Sequence, residues 1–140
     1  MEAKQMPEIE QGDSRKAQSV LMTATACFAG ALVPGLGHAL LRKWDRAVVF
    51  FGAISIMFAL GLRLQATLFG PDFADFFGIL KFIADAGSGL MYWICWLQGL
   101  GTGNAAAYSY DFGNLFVYSA GLLNMLVIMD TFDIALGRKH

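Results

Sequence analysis

Four long stretches of the chain are almost free of charge: Val20–Leu41, Ala47–Phe69, Ala86–Ala105 and Asn114–Ala135. Short polar segments separate them: Arg42-Lys43-Trp44-Asp45-Arg46, the turn Gly70-Pro71-Asp72, and a glycine-rich stretch from Gly101 to Tyr110. A helix needs about 20 mostly apolar residues to cross a hydrocarbon core about 30 Å thick, and each stretch is close to that length. A transmembrane β-barrel needs segments of alternating polarity, and runs such as Val48-Val49-Phe50-Phe51 and Leu122-Leu123 do not alternate. The pattern therefore predicts an all-α integral membrane protein of about four transmembrane helices. Residues 1–19 are expected to form a flexible polar N-terminal tail, and residues 20–140 a single transmembrane helical domain.

Two segments depart from simple spans. Val33-Pro34-Gly35-Leu36-Gly37 sits in the first stretch, where Pro removes a helical hydrogen bond and Gly favours a turn. The first helix is thus expected to break at Pro34–Gly37. A kinked span is the leading expectation; the alternative is a re-entrant hairpin that returns Arg42–Arg46 to the side of Arg15 and Lys16. Between residues 72 and 85, Phe73, Phe76, Phe77, Leu80 and Ala84 recur at helical spacing. That predicts an amphipathic interfacial helix or the start of a long, tilted third span.

Composition agrees with the pattern. The chain is 56% hydrophobic and 15% charged, where soluble domains carry about 25% charged residues. This excludes an ordinary soluble domain and a disordered chain. A formal net charge of −1 leaves no basic patch for phosphates, which excludes a nucleic-acid binder. Cytoplasmic loops carry excess Lys and Arg. On a four-span layout, Lys4, Arg15, Lys16, Arg63, Arg138 and Lys139 place both termini in the cytoplasm, while Arg42, Lys43 and Arg46 oppose that orientation.

Few residues suggest chemistry. Pro34-Gly35-Leu36-Gly37-His38 is the most specific string. Histidine is the side chain that ordinarily changes charge near neutral pH, so its presence at position 38 makes His38 a candidate proton carrier beside a helix break; its structural alternative is a hydrogen bond across the bundle. Asp130 and Asp133 lie three apart on one helical face. They are candidates for binding a metal or sharing a proton, although a DxxD pair without further carboxylates is a weak metal signal, or for ion pairing with Arg138, Arg63, Arg15 or Lys16. Asn124 lies deeper, where an amide glues helices together. Arg42 completes the set. Cys27 and Cys95 fall inside apolar stretches and are expected to be packing residues. Tyr92-Trp93-x-x-Trp96 is expected to anchor or pack. No GxSxG, HExxH or P-loop string is present. The sequence therefore predicts no catalytic residues, no metal site and no cofactor.

The string Ala31-Leu32-Val33-Pro34-Gly35-Leu36-Gly37-His38, with Arg42 and Arg46-Ala47-Val48-Val49-Phe50-Phe51 after it, resembles a group of small bacterial membrane proteins of unknown function. Their first hydrophobic segment carries a Pro-Gly-Leu-Gly-His type motif followed by a basic turn. Tyr110-Asp111-Phe112-Gly113-Asn114, Gly121-Leu122-Leu123-Asn124, Asp130, Asp133-Ile134-Ala135 and Gly137-Arg138-Lys139 extend the resemblance. More distantly, the chain is similar to two-helix membrane domains with a glycine-rich turn. The resemblance implies a bacterial inner-membrane protein and carries over no catalytic residue.

The expected function is that of a non-catalytic accessory, assembly or scaffold subunit, in a larger membrane complex or a homo-oligomer. Its partners are the lipid bilayer and other membrane subunits or copies of itself. The alternative is a proton- or ion-linked transporter or channel component using His38 and Asp130/Asp133.

Overall fold

Of the four apolar stretches, the fourth lies within one helix, the second is one helix as far as Arg63, and the first and third are broken. The computed structural model describes residues 6–138, with side chains from residue 11. It contains α1 (Met6–Leu32), α2 (Leu36–Leu40), α3 (Trp44–Arg63), α4 (Phe76–Ala86), α5 (Leu90–Leu97) and α6 (Tyr110–Ala135). The described residues form no strand; an isolated bridge joins Thr67 to Thr102. The chain is thus all-helical, as the pattern predicts.

The four expected spans are corrected to two candidates. Among the described residues only α3 and α6 are long and apolar enough to cross a membrane; their 20 and 26 residues extend about 30 and 39 Å. The first stretch breaks where expected, but it reverses rather than kinks. Pro34 cannot continue the helix, and Gly35 adopts φ +80°, a left-handed conformation that only glycine takes without steric cost. The third stretch reverses in the same way at Gly89, φ +70°. Both turns, Val33-Pro34-Gly35 and Gly87-Ser88-Gly89, are uncharged, so a hydropathy reading runs straight through them. The helices of the second reversal have 11 and 8 residues, about 16 and 12 Å, too short to cross a bilayer.

The architecture is therefore hairpin, long helix, hairpin, long helix. Helix α6 packs antiparallel to α3: Gly61 sits against the Gly113 carbonyl and Val117, while Arg46 lies beside Asp130. The α1–α2 hairpin runs along the C-terminal half of α6. Val20 and Thr23 line a cavity with Phe132 and Leu136, and Gly30 lies near Ile128. Helix α2 then folds back, with Gly37 between the Ala26 carbonyl and Thr131. The α4–α5 hairpin runs along the N-terminal half of α6. Lys81 shares a cavity with Tyr110 and Tyr118, the Ala84 carbonyl meets Gly121, and α5 returns to set Trp96 against Gly70. The hairpin tips touch halfway along α6, where Gly89 packs against the carbonyls of Ala31 and Leu32.

The core joins Ile54 and Phe58 of α3 to Val117, Ala120 and Val127 of α6, with Ala66, Leu68 and Tyr92 closing one end. Around this apolar core the surface and the buried polar set depart from those of a protein folded in water. Phe76, Phe77, Leu80, Val48, Val49 and Leu126 are exposed, whereas His38, Asp85, Ser88, Asn124 and Thr131 have 0% exposure. Helix α4 occupies most of the predicted interfacial segment, and Phe76, Phe77 and Leu80 of its expected apolar face do point outward. Residues 6–19, expected as a flexible tail, continue α1 as helix, and residues 11–19 are exposed throughout. Residues 1–5 lie outside the described part.

Candidate functional site

Each hairpin returns through a left-handed glycine, and the third residue beyond it is fully buried: His38 after Gly35, Tyr92 after Gly89. One helical turn past a reversal faces inward, so this position ties the returning helix to what it packs on.

His38 lies against α6. Its Nε2 is 3.0 Å from Asp130 Oδ2, and its Nδ1 is 3.0 Å from Thr131 Oγ1. The same hydroxyl is 2.9 Å from the Val127 carbonyl. One hydroxyl proton cannot serve both neighbours. When the hydroxyl donates to Nδ1, the ring is neutral and Nε2–H donates to Asp130. When it donates to the Val127 carbonyl, Nδ1–H donates to Thr131 and the ring is an imidazolium. Both ring nitrogens keep a hydrogen-bond partner in either state. Arg46 Nη1 approaches the same Asp130 oxygen at 3.4 Å, and the Phe50 ring covers the imidazole with centroids 5.1 Å apart.

Thr131, His38 and Asp130 have the composition of a hydrolytic triad, but a nucleophile must reach a substrate carbonyl. Thr131 and His38 are wholly buried, and neither lines any of the described cavities. The cavity nearest the first turn, about 290 Å³, is lined by apolar residues including Val33, Pro34, Trp44 and Phe51. The arrangement locks a helix in place.

The other residues named from the sequence scatter. Asp133 turns from Asp130 toward Arg138, 3.8 Å away, so the two carboxylates do not form one site. Arg42 is exposed at φ +59° and closes the turn after α2 through its backbone N–H to the Ala39 carbonyl; Arg46 stands beside Asp130 instead. Pro34, Gly35 and Gly37 shape the turn. Among the described residues no group of three or more His, Cys, Asp or Glu can hold a metal. Cys27 and Cys95 are free.

Asn124 forms a separate centre. Its Nδ2 donates to the Gly87 carbonyl at 2.8 Å and the Gly30 carbonyl at 3.3 Å. One amide near the middle of α6 thus staples the tips of both hairpins. Nearby, Asp85 Oδ2 accepts from the Phe69 N–H at 2.9 Å, and the Tyr92 hydroxyl donates to the Phe69 carbonyl at 2.6 Å. The loop after α3 is thereby held by the second hairpin. Three buried side-chain oxygens there have no partner: Asp85 Oδ1, Ser88 Oγ and Asn124 Oδ1.

The sequence missed Arg46, Thr131, Asp85 and Ser88. Arg46 is legible only once α3 packs antiparallel to α6, and Thr131 only once α2 folds back onto it. Asp85 carried a signal that went unused: it is the charge nearest the third apolar stretch, and ionisable groups beside apolar helices are functional candidates.

The profile of a family described as a family of unknown function (DUF6677) matches residues 25–140, and the chain belongs to that family. The matched region starts in the last turns of α1 and takes in both hairpins and both long helices. No curated protein and no solved structure matches the chain.

Proposed function

We propose that this member of the DUF6677 family is a non-catalytic protein of the bacterial inner membrane. It acts as an accessory or scaffold subunit, within a larger membrane complex or a homo-oligomer. The observation that carries the reading is the outward face: many large apolar side chains are exposed while His38, Asp85, Ser88, Asn124 and Thr131 are buried beside the apolar core. Water strongly disfavours that arrangement and a lipid or protein surround favours it. The polar residues named from the sequence support it too, since His38 and Asn124 tie helix to helix.

In this reading α3 and α6 cross the bilayer, and the two hairpins enter from opposite faces and meet near its centre. Non-helical backbone at that depth survives only when protein covers it, and the packed glycine turns satisfy that condition. The layout removes the charge conflict of four spans. Arg15, Lys16, Arg42, Lys43, Arg46 and Arg138 fall on one face, with Arg63 and Lys81 on the other. The first face is cytoplasmic by the positive-inside rule.

Cysteine accessibility in intact cells tests the layout after Cys27 and Cys95 are replaced by Ala. A label at Lys43→Cys is expected to be shielded from the outside and one at Asp72→Cys exposed. Four crossings give the reverse. Native mass measurement in mild detergent tests the role: an oligomer or a stoichiometric partner is expected, and a strictly monomeric, solitary particle counts against it.

A second reading, proton-linked transport, draws on the His38–Asp130–Arg46 contact, because that set leads from a buried imidazole to the partly exposed Asp130 and Arg46. Proton flux into liposomes that is lost in His38→Gln would favour it. No flux at any imposed gradient would dismiss it.

A further inference from the structure

The two hairpins leave different remainders. Around His38 every polar atom of the ring has a partner. At the contact of the α4–α5 turn with α6, three fully buried oxygens have none: Asp85 Oδ1, Ser88 Oγ and Asn124 Oδ1. Asp85 lies in the last turn of α4 and Ser88 in the turn that follows, its N–H donating to the Asp85 carbonyl at 3.1 Å. The backbone nitrogen of Ser88 lies against Gly121 of α6, and the neighbouring Gly87 carbonyl takes the Asn124 amide. Ser88 and Asn124 thus meet where the α4–α5 turn packs on α6, and Asp85 precedes that turn on α4, with its other carboxyl oxygen on the Phe69 N–H.

Donors are short at that contact. The serine hydroxyl carries one proton and the other two oxygens are acceptors, so at least one acceptor stays unpaired however the hydroxyl turns. Charge is short as well. Among the described residues Asp85 has no ion-pair partner; Lys81, one turn earlier, sits over the Phe69 ring at 4.8 Å. A buried carboxylate without a counter-charge costs several kcal/mol. In addition α1 and α4 both end at the hairpin tips, and the C-terminus of a helix carries partial negative charge. Oxygen ligands, a carboxylate and two helix C-termini all favour a small positive charge. Interrupted helices with exposed carbonyls are the usual setting for such ions at mid-membrane.

We propose that the contact between the α4–α5 turn and α6 is a binding site for a small monovalent cation, liganded by Asp85, Ser88 and Asn124. The ion closes the junction of the two hairpins by neutralising Asp85 and completing the unpaired oxygens.

The test is thermal unfolding of the full chain in mild detergent, followed by tryptophan fluorescence, in NaCl, KCl and choline chloride at equal ionic strength. Sodium or potassium is expected to raise the melting temperature saturably, and choline is not. Loss of one ligand contact weakens the half-saturating concentration by at least about tenfold, which is the shift expected for Ser88→Ala. Asp85→Asn abolishes the effect, and His38→Gln keeps it. Should Asp85→Asn fail to fold, Ser88→Ala carries the decision, since it removes one oxygen and little volume. Identical melting in all three salts overturns the proposal, because buried water or a proton then completes the oxygens. An unchanged cation response in Ser88→Ala overturns it as well.

Discussion

The α1–α2 and α4–α5 hairpins solve the same problem with different chemistry. Each dips along α6, reverses through a left-handed glycine, and returns with a buried side chain one turn later. The first hairpin is fastened by ionisable groups, His38 to Asp130 with Arg46 at the margin. Its fastening lies near the end of α6, where Asp130 is 23% and Arg46 42% exposed, so charge is affordable there. The second is fastened through backbone groups: Tyr92 and Asp85 hold the carbonyl and amide of Phe69. Its fastening lies toward the other end of α6, where Phe69 shares a cavity with Tyr110, Asn114 and Tyr118, but there the carboxylate of Asp85 is wholly buried. Burial of the carboxylate, not its place along α6, thus separates the two fastenings.

The contrast breaks most severely where backbone meets backbone. Gly121→Val places a branched side chain against the Ala84 carbonyl, and Gly37→Val against the Ala26 carbonyl. Neither backbone can yield without moving its hairpin, so each substitution is predicted to cost about 3 kcal/mol or more. Gly52→Ala, where nothing lies within 4 Å, is the control and should unfold like the parent. Thermal unfolding in detergent reads all three. If Gly37→Val were tolerated and Gly121→Val were not, the hairpins would not be equivalent docking units.

Asn124→Ala sharpens the comparison at the point the hairpins share. It removes the donor to Gly30 and Gly87 together. Hydrogen bonds between membrane helices contribute about 0.6 kcal/mol each, up to about 1.7, so a loss of about 1–3 kcal/mol is expected. The diagnostic readout is hydrogen exchange. Exchange at the tips of both hairpins, residues 33–37 and 87–90, should accelerate in parallel. Acceleration at one tip alone would mean that Asn124 serves one hairpin and merely neighbours the other.

These contacts show what the sequence could and could not disclose. Helical content, the break at Pro34–Gly37 and an outward apolar face on α4 were all legible, because they depend on local spacing. The reversal at Gly87-Ser88-Gly89 was not: it has no proline, and its flanks are as apolar as a span. The site was half legible. His38 and Asp130 stood out as polar groups in apolar stretches, yet they are separated by 92 positions. Only the fold shows that the reversal of α2 brings them to 3.0 Å.

A smaller effect tests the backbone fastening of the second hairpin. Tyr92→Phe removes one hydrogen bond, to the Phe69 carbonyl, and keeps the ring packed on Phe82 and Trp93. A net cost of about 1 kcal/mol is predicted, together with faster exchange in residues 66–70. No change in that loop would mean that Asp85 alone holds it.

The least disruptive substitution separates two carboxylates that look alike in the sequence. Asp130 and Asp133 share one helical face, but Asp130 accepts from His38 at 3.0 Å and meets Arg46 at 3.4 Å, while Asp133 reaches only Arg138 at 3.8 Å. Arg138 is 68% exposed and Asp133 38%, so water already solvates that pair. Exposed pairs contribute about 0–1 kcal/mol. Asp133→Asn is therefore predicted to shift stability by less than about 0.5 kcal/mol. Asp130→Asn replaces a charge-assisted partner of a buried ring with a neutral amide, and about 1–3 kcal/mol is expected. Measuring both by thermal unfolding at one pH, then repeating at high salt, separates the causes. Salt screens exposed pairs far more than buried ones, so any Asp133 effect should vanish while the Asp130 effect persists. Equal losses that persist in high salt would show that the two carboxylates act as one site after all, and that the first hairpin is fastened by both.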